Sequence, residues 1–528
     1  MKKRINAPAS LIIIASLAGC QTTPQPLAAD TIIAGGQIFD GSGGAGRNAD
    51  IAIRDGMILY IGPNASSRYS AENTVDAKGL IVSPGFIDPH THAGSDLASD
   101  TAKRRANLPF AFQGVTTVVI GNDGGGKPDI AAIAGAAKAN GIGTNAAYLV
   151  GFGPVREAVL AKANRAPTQA ELAKMKSLVG TAMCEGAWGL SAGLYYVPQS
   201  YSQTDEVVAL AKVAGEAGGY YDTHMRDEST YNVTVTGAVA ETLEIGRRAD
   251  LPVHIAHIKA LGPAVWGHSA RMIAMIEEAQ ASGQRVTADQ YPWEASGTRI
   301  SSALVPRDAL EGGLPALRER LGDPAQIPAI RAGIAAAIER RGGADRLLIT
   351  GRLSGSDAPV GKTLAQLAEM REVSPADAAI DVLRMGDARL ASFNMSAQDI
   401  AAFADQEWVV TGSDGSNGHP RKYGSFPKAY RDLVHGEAQM GIARFIRRST
   451  GKTADIIGLD RRGYLKVGYH ADVVIFDPST FAPNANYSAP RALSSGVQHL
   501  YVNGVPVITG GAYTGALPGE PLLKDTQC

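Results

Sequence analysis

Cysteine is scarce in this chain, with three residues in 528, at positions 20, 184 and 528. That excludes a disulfide-stapled scaffold, and a structural disulfide is not implied. Cys184, in "TAMCEGAWG" between small residues at the end of a helical pattern, is expected to be a packed thiol without chemistry. Net charge is nearly absent too. The 50 basic and 51 acidic residues leave −1, which gives no electrostatic reason to bind nucleic acid. Aromatics make up 6%. Glycine, by contrast, is plentiful at 61 residues and points to many tight turns.

The one conspicuous apolar run lies in "MKKRINAPASLIIIASLAGC" and is too short to span a bilayer. Its basic start and the small residues before Cys20 make it a secretory signal. The ending "LAGC" resembles a bacterial lipobox, which implies cleavage before Cys20 and lipidation there. The expectation is a periplasm-facing lipoprotein, a membrane partner only through its acyl chains, with Gln21 leaning toward the outer membrane.

At 528 residues the chain exceeds what one growing core supports, so a large barrel with additions or several domains is expected. Residues 21–30 read as a tether. Apolar stretches folded at Asp55-Gly56 and again around Asn503-Gly504 are hairpin signals. Neither piece is stable alone, so both chain ends are predicted to share a small β-sandwich domain over 31–83 and 460–518.

Between them, β-rich runs alternate with alanine-rich helical stretches: "GLIVSPGFIDPHTH", "GVTTVVIGND", "NAAYLVGFG", "AWGLSAGLYY", "GYYDTHMR", "LPVHIAHIK", "RVTADQYP" and "QEWVVTGSD". Eight strands in βα order predict an α/β fold, a (β/α)₈ TIM-like barrel over 84–459. The stretch 293–406 is too long for one crossover and is expected to hold an insertion, in which "RLLITGRL" is a further strand candidate.

The runs finish on chemistry-bearing residues: His90 and His92 on the first, Asp123 on the second, His224 on the fifth, His257 on the sixth and Asp414 on the eighth. In a parallel barrel all these ends share one rim. Four imidazoles and two carboxylates converging there call for a cation, and imidazole with carboxylate suits zinc and its neighbours. His254, three before His257, is expected to face away from it, and His268, His435, His470 and His499 are read as loop or small-domain residues.

The motifs "PGFIDPHTH", "GVTTVVIGN", "GAWGLSAGLYY", "DTHMRDE", "HIAHIK", "DQYP", "GSDG" and "HPRKYGSFPK" resemble the N-acyl-D-amino-acid deacylase (D-aminoacylase) branch of the metal-dependent amidohydrolases, in unchanged order over nearly the whole mature chain. The resemblance implies zinc held by His224, His257 and the residue at 123, with His90 and His92 offering a second site and Asp414 serving as catalytic acid/base and ligand. The branch has cysteine in "GNCG" where this chain has Asp123, and carboxylate is a harder donor than thiolate, so one or two zinc ions, or another divalent metal, remain open. The resemblance also implies that Arg421, Lys259 and Tyr291 hold a substrate carboxylate, and that Trp293 with the insertion covers the site. The function implied is metal-dependent hydrolysis of a linear amide next to a free carboxylate in a small-molecule substrate, foremost an N-acyl-D-amino acid. A dipeptidase on D-residue dipeptides, a cyclic-amide hydrolase or deaminase, and a non-catalytic lipoprotein are the rivals.

Overall fold

The computed structural model describes residues 1, 27–353, 355–436, 440–526 and 528. The signal segment, Cys20 and most of the expected tether lie outside the described residues. Residues 27–30, expected to be part of the tether, lie instead in the strand Leu27–Ile38, which pairs in parallel with Tyr69–Asp76 from Leu27 onward. Among the described residues no helix is long and apolar enough to cross a membrane.

All eight β-rich runs form strands: β1 (Phe86–Asp88), β2 (Val115–Ile120), β3 (Asn145–Tyr148), β4 (Gly189–Gly193), β5 (Tyr220–His224), β6 (Val253–Ile255), β7 (Val286–Gln290) and β8 (Val409–Thr411). β1, β2 and β3 pair in parallel in one sheet, and β4 through β8 pair in parallel in another, with Val150–Gly151 just beyond β3 at its edge. β2, "VTTVVI", is β-branched and buried throughout, the pattern of a parallel strand covered on both faces. This is a mixed α/β fold.

Both chain ends enter one nine-stranded sheet, joined where Val473–Phe476 runs antiparallel to Ile81–Pro84. Two of its tight turns are those read from the sequence. Asp55 and Gly56 have φ of 50° and 76°, and Asn503 and Gly504 have 51° and 79°, the left-handed pair that a two-residue hairpin turn requires. The sheet seats on the parallel strands through an aromatic cluster: Phe86 of β1 stacks on Phe426 at 5.5 Å between centroids and also meets Phe445 and Phe476.

The insertion is a separate small unit. Ser296–Arg299, Ala388–Ser392 and Leu347–Arg352 form a three-stranded antiparallel sheet, so "RLLITGRL" does not disturb the count of eight. Helices between them pack their own core around Ile334, Leu347 and Leu383. The helix Ala397–Ala404 returns to the parallel strands, where Gln290 of β7 donates to Ile400 O.

One expectation is overturned. Cys184 and Cys528 are bonded to each other, with Cα atoms 5.8 Å apart across 344 residues of sequence. The helix Gln169–Cys184, opened by a capping box of Thr168 and Glu171, carries one sulfur at its last turn. The C-terminal segment reaches it by pairing Pro521–Leu522 in parallel with β3, while Leu522 O accepts from Trp188 Nε1. Chain spacing carries no record of that approach. A cross-link closing so long a loop restricts the unfolded chain strongly, so Cys184→Ser is expected to lower stability by about 2–4 kcal/mol. Denaturant midpoints of variant and parent measure it. Peptide mapping without reductant should recover the two cysteine peptides joined, and separate peptides would contradict the bond.

Candidate metal centre and cavity

The six strand-end residues converge. His90 Nε2 and His92 Nε2 each lie 3.3 Å from a carboxylate oxygen of Asp123, His257 Nε2 lies 3.2 Å from it and His224 Nδ1 3.7 Å. Asp414 Oδ1 is 3.0 Å from His92 Nε2 and 3.8 Å from His90 Nε2. Two ligand groups result, His90–His92–Asp123–Asp414 and Asp123–His224–His257, with Asp123 common to both.

The backbone bends to achieve this. Asp123, His257 and Asp414 all have positive φ (54°, 34° and 47°), a costly conformation for non-glycine residues that clusters at functional sites. Neighbouring glycines make room. A Cβ on Gly124 would sit 2.0 Å from Gln199 Oε1, and one on Gly193 would sit 2.3 Å from Asp123 O. Gln199 fills the space they leave, accepting from Gly193 N at 2.7 Å and donating to Asp123 O at 3.0 Å. β1 and β8 are tied by Asp88, whose Oδ1 accepts from Ser413 N, and by Asp414 N donating to His90 O.

The donor set fits a cation. His224 Nδ1 and His257 Nε2 lie 2.9 Å apart, and His90 Nδ1, His90 Nε2 and His224 Nε2 are buried without a hydrogen-bond partner among the described residues. Burial disfavours charge on the imidazoles, yet Asp123 and Asp414 outweigh it at His92 and raise it to about 9. At His257 burial and Lys259 oppose protonation, but Asp123 and Glu228 raise it to about 10. Burial pushes the Asp123 carboxyl upward, while the imidazoles of His90, His224 and His257 pull it well below the usual range. Two carboxylates among four imidazoles thus draw positive charge into a buried place.

A cavity of about 800 Å³ opens onto this cluster and is lined by His92, Asp123, Tyr196, Asp414 and Arg421. Arg421 Nη1 lies 2.7 Å from Asp414 Oδ2, and its Nη2 donates to Gly297 O and Ser416 Oγ. Its Nε is buried without a partner among the described residues. Burial disfavours ionised Asp414, but Arg421 foremost and then His92 hold it well below the ordinary carboxylate range.

The other two predicted substrate contacts stand elsewhere. Lys259 does not line the cavity: its ammonium donates to Glu228 Oε1 at 2.6 Å and lies 2.6 Å from His257 Nδ1. Tyr291 is 1% exposed and stacks under Arg421 at 5.0 Å, its hydroxyl turned to Met395 Sδ. Trp293 is likewise inside, donating to Ser425 Oγ, while Gly297 to Arg299 and Arg389 of the insertion form cavity wall.

Sequence reasoning passed over three residues. Glu228 lies 3.5 Å from His224 Nε2 and 3.4 Å from His257 Nδ1 and sets a carboxylate charge beside both rings. Asp289 Oδ2, 3.7 Å from His90 Nδ1 and 3.2 Å from His254 Nε2, backs the first group. Tyr196 covers His224 at 4.8 Å. Tyr196 and Asp289 lie at or just past the ends of β4 and β7, where the rule that found the histidines would have found them. His254 does face away from the centre, toward Thr287 and Asp289.

Comparison with known proteins agrees with this architecture. The amidohydrolase family model matches residues 73–508. A D-aminoacylase of Alcaligenes xylosoxydans xylosoxydans is 32% identical over 542 residues, covering 96% of this chain and 99% of its own length. The solved structure of an N-acyl-D-glutamate deacylase from Bordetella bronchiseptica, complexed with zinc and a phosphonate mimic of the tetrahedral intermediate, matches with a TM-score of 0.80 at 30% identity, over 94% of this chain and 100% of that one. A D-aminoacylase whose binuclear metal centre is activated by one metal and attenuated by a second matches with a TM-score of 0.79 at 31% identity, with the same coverage.

Proposed function

Because the chain belongs to the D-aminoacylase family of the amidohydrolases, we propose that it hydrolyses N-acyl-D-amino acids to a carboxylic acid and a free D-amino acid at a centre holding one or two zinc ions. The observation that carries this reading is the Asp123 carboxylate standing between two histidine groups, with Asp414 on the wall of the cavity beside them.

Asp123, His224 and His257 are the residues that would hold one ion, and His90, His92, Asp123 and Asp414 those that would hold a second. What a divalent cation supplies there is charge that acidifies a water and polarises the amide carbonyl. The protein's own groups do the rest. Asp414, ionised and oriented by Arg421, accepts the proton of the attacking water and passes it to the leaving nitrogen, without which the amine is a poor leaving group. Arg421 holds the substrate carboxylate, and its unpartnered Nε supports that role. Lys259 and Tyr291 act behind it, one fixing His257 and the other flanking the guanidinium.

The same reading takes the eight parallel strands as a closed (β/α)₈ barrel, carrying a small β-domain from both chain ends. Two seams support closure: the Thr91–Gly415 bridge beside β1 and β8, and Trp188 N donating to Tyr148 O between β3 and β4. It also places the enzyme at a membrane surface facing the periplasm through lipidated Cys20, and the Cys184–Cys528 bond supports an oxidising compartment. Mass analysis of the mature N-terminus tests the anchor.

For the reaction, chelated protein is reconstituted with zinc and assayed on N-acetyl amino acids of both hands and on their C-terminal amides. The expected result is metal-dependent amine release from the D series that requires the free carboxylate. Turnover of cyclic amides with none of linear substrates, or no turnover when metal-replete, would overturn the assignment.

A further inference from the structure

The cavity wall carries more positive charge than one substrate carboxylate requires. Besides Arg421 it includes Arg299, Arg389, Arg307 and Lys162, whereas among the described residues its only carboxylates are the two of the metal centre. Among the described residues Arg299 and Arg389 have neither an ion-pair partner nor a side-chain hydrogen bond. Asp387, the carboxylate whose charge is felt at Arg389, is engaged by Ser301 N and Oγ.

The placement of these two arginines is itself unfavourable. They are direct partners in the antiparallel ladder of the insertion, Arg299 opposite Arg389, where like charges repel. Arg389 is half-buried, and its stem lies against Gly418, whose Cβ would meet Arg389 Cδ at 2.9 Å. That puts it on the loop between Asp414 and Arg421. Burial, then the charges of Arg299 and Arg421, make its guanidinium easier to deprotonate than usual. The insertion thus holds an uncompensated pair of cations against the catalytic cavity, an arrangement that an incoming anion relieves.

We propose that Arg299 and Arg389 form a second anion subsite, which selects substrates bearing a carboxylate in addition to the one at Arg421. This rests on the amide hydrolysis assigned above and narrows its substrate class. The second carboxylate can sit on the amino-acid side chain or on the acyl group, and paired substrates separate the two sources: N-acetyl-D-glutamate against N-acetyl-D-glutamine, and N-succinyl-D-alanine against its succinamoyl counterpart.

With zinc-loaded protein at fixed ionic strength, the acid should exceed its amide in kcat/KM by about tenfold or more in at least one pair, the discrimination a charged contact gives. Arg389→Gln and, separately, the exposed Arg299→Gln should reduce that preference toward unity, chiefly through KM for the acid. Acid-to-amide ratios near one in both pairs, or ratios that neither variant changes, overturn the subsite while leaving the deacylase assignment intact. Calorimetric binding of glutarate against butyrate reads the subsite without turnover. If no substrate is hydrolysed but glutarate binds more tightly than butyrate and the preference is lost in Arg389→Gln, the deacylase assignment fails and the subsite stands. If glutarate shows no preference there either, both fail.

Discussion

Asp414→Asn is expected to lower kcat for an N-acyl-D-amino acid by about 10³-fold, within the range for loss of a positioned acid/base. Asparagine has the same shape, and its oxygen can still accept from Arg421, which lies 2.7 Å from Asp414 Oδ2. What disappears is the basic oxygen that takes a proton and returns it. Because Asp414 is only 4% exposed, no bulk water stands in for it. Metal analysis of the variant should still find the ion held by Asp123, His224 and His257, which separates loss of proton transfer from loss of the site. A kcat within tenfold of the parent would remove Asp414 from the chemistry.

The second large effect is at Asp123. Its carboxylate is the one group shared by both ligand sets, and it faces four imidazoles within 3.7 Å. Asp123→Ala deletes a ligand from each set and leaves Asp414 as the only carboxylate among them. Zinc affinity should fall by more than about 100-fold, beyond what loss of an outer-sphere partner costs, and hydrolysis should fall with it. Titration with a competing chelator measures the first and steady-state rates the second. Asp123→Cys, which replaces the shared carboxylate with a softer thiolate donor, should retain at least one metal per chain. If Asp123→Ala binds zinc as tightly as the parent, the shared-carboxylate reading fails.

The metal candidates were legible for a simple reason. In β1, β2, β5, β6 and β8 the polar residue comes at the end of a buried run, and parallel strands deliver their ends to one face. His90 and His92 lie just past the end of β1 and reach Asp123 from the loop there, not as same-face neighbours on a strand. That logic stops at the first turn beyond each strand. Glu228 is four residues past His224 and belongs to the site only because the loop folds it back under both rings, a path no periodicity encodes. Lys259 shows the converse. It sits two residues after His257 and suggests a substrate contact, but buried beside Glu228 its ammonium is already engaged.

The Cys184–Cys528 bond and the Arg299–Arg389 pairing lie further from what a sequence can show. Each depends on the position of a whole element, the C-terminal strand against β3 in one case and the register of the insertion's ladder in the other. The sequence by itself determined the strand count, the two hairpin turns and which polar residues meet at one rim, because these follow from local periodicity and from the rule that parallel strands end together. Only the tertiary structure decided which charges were neutralised, which cations were left facing the cavity and which sulfurs met. Those outcomes are set by distances of a few ångströms between segments that packing, not chain order, brings side by side.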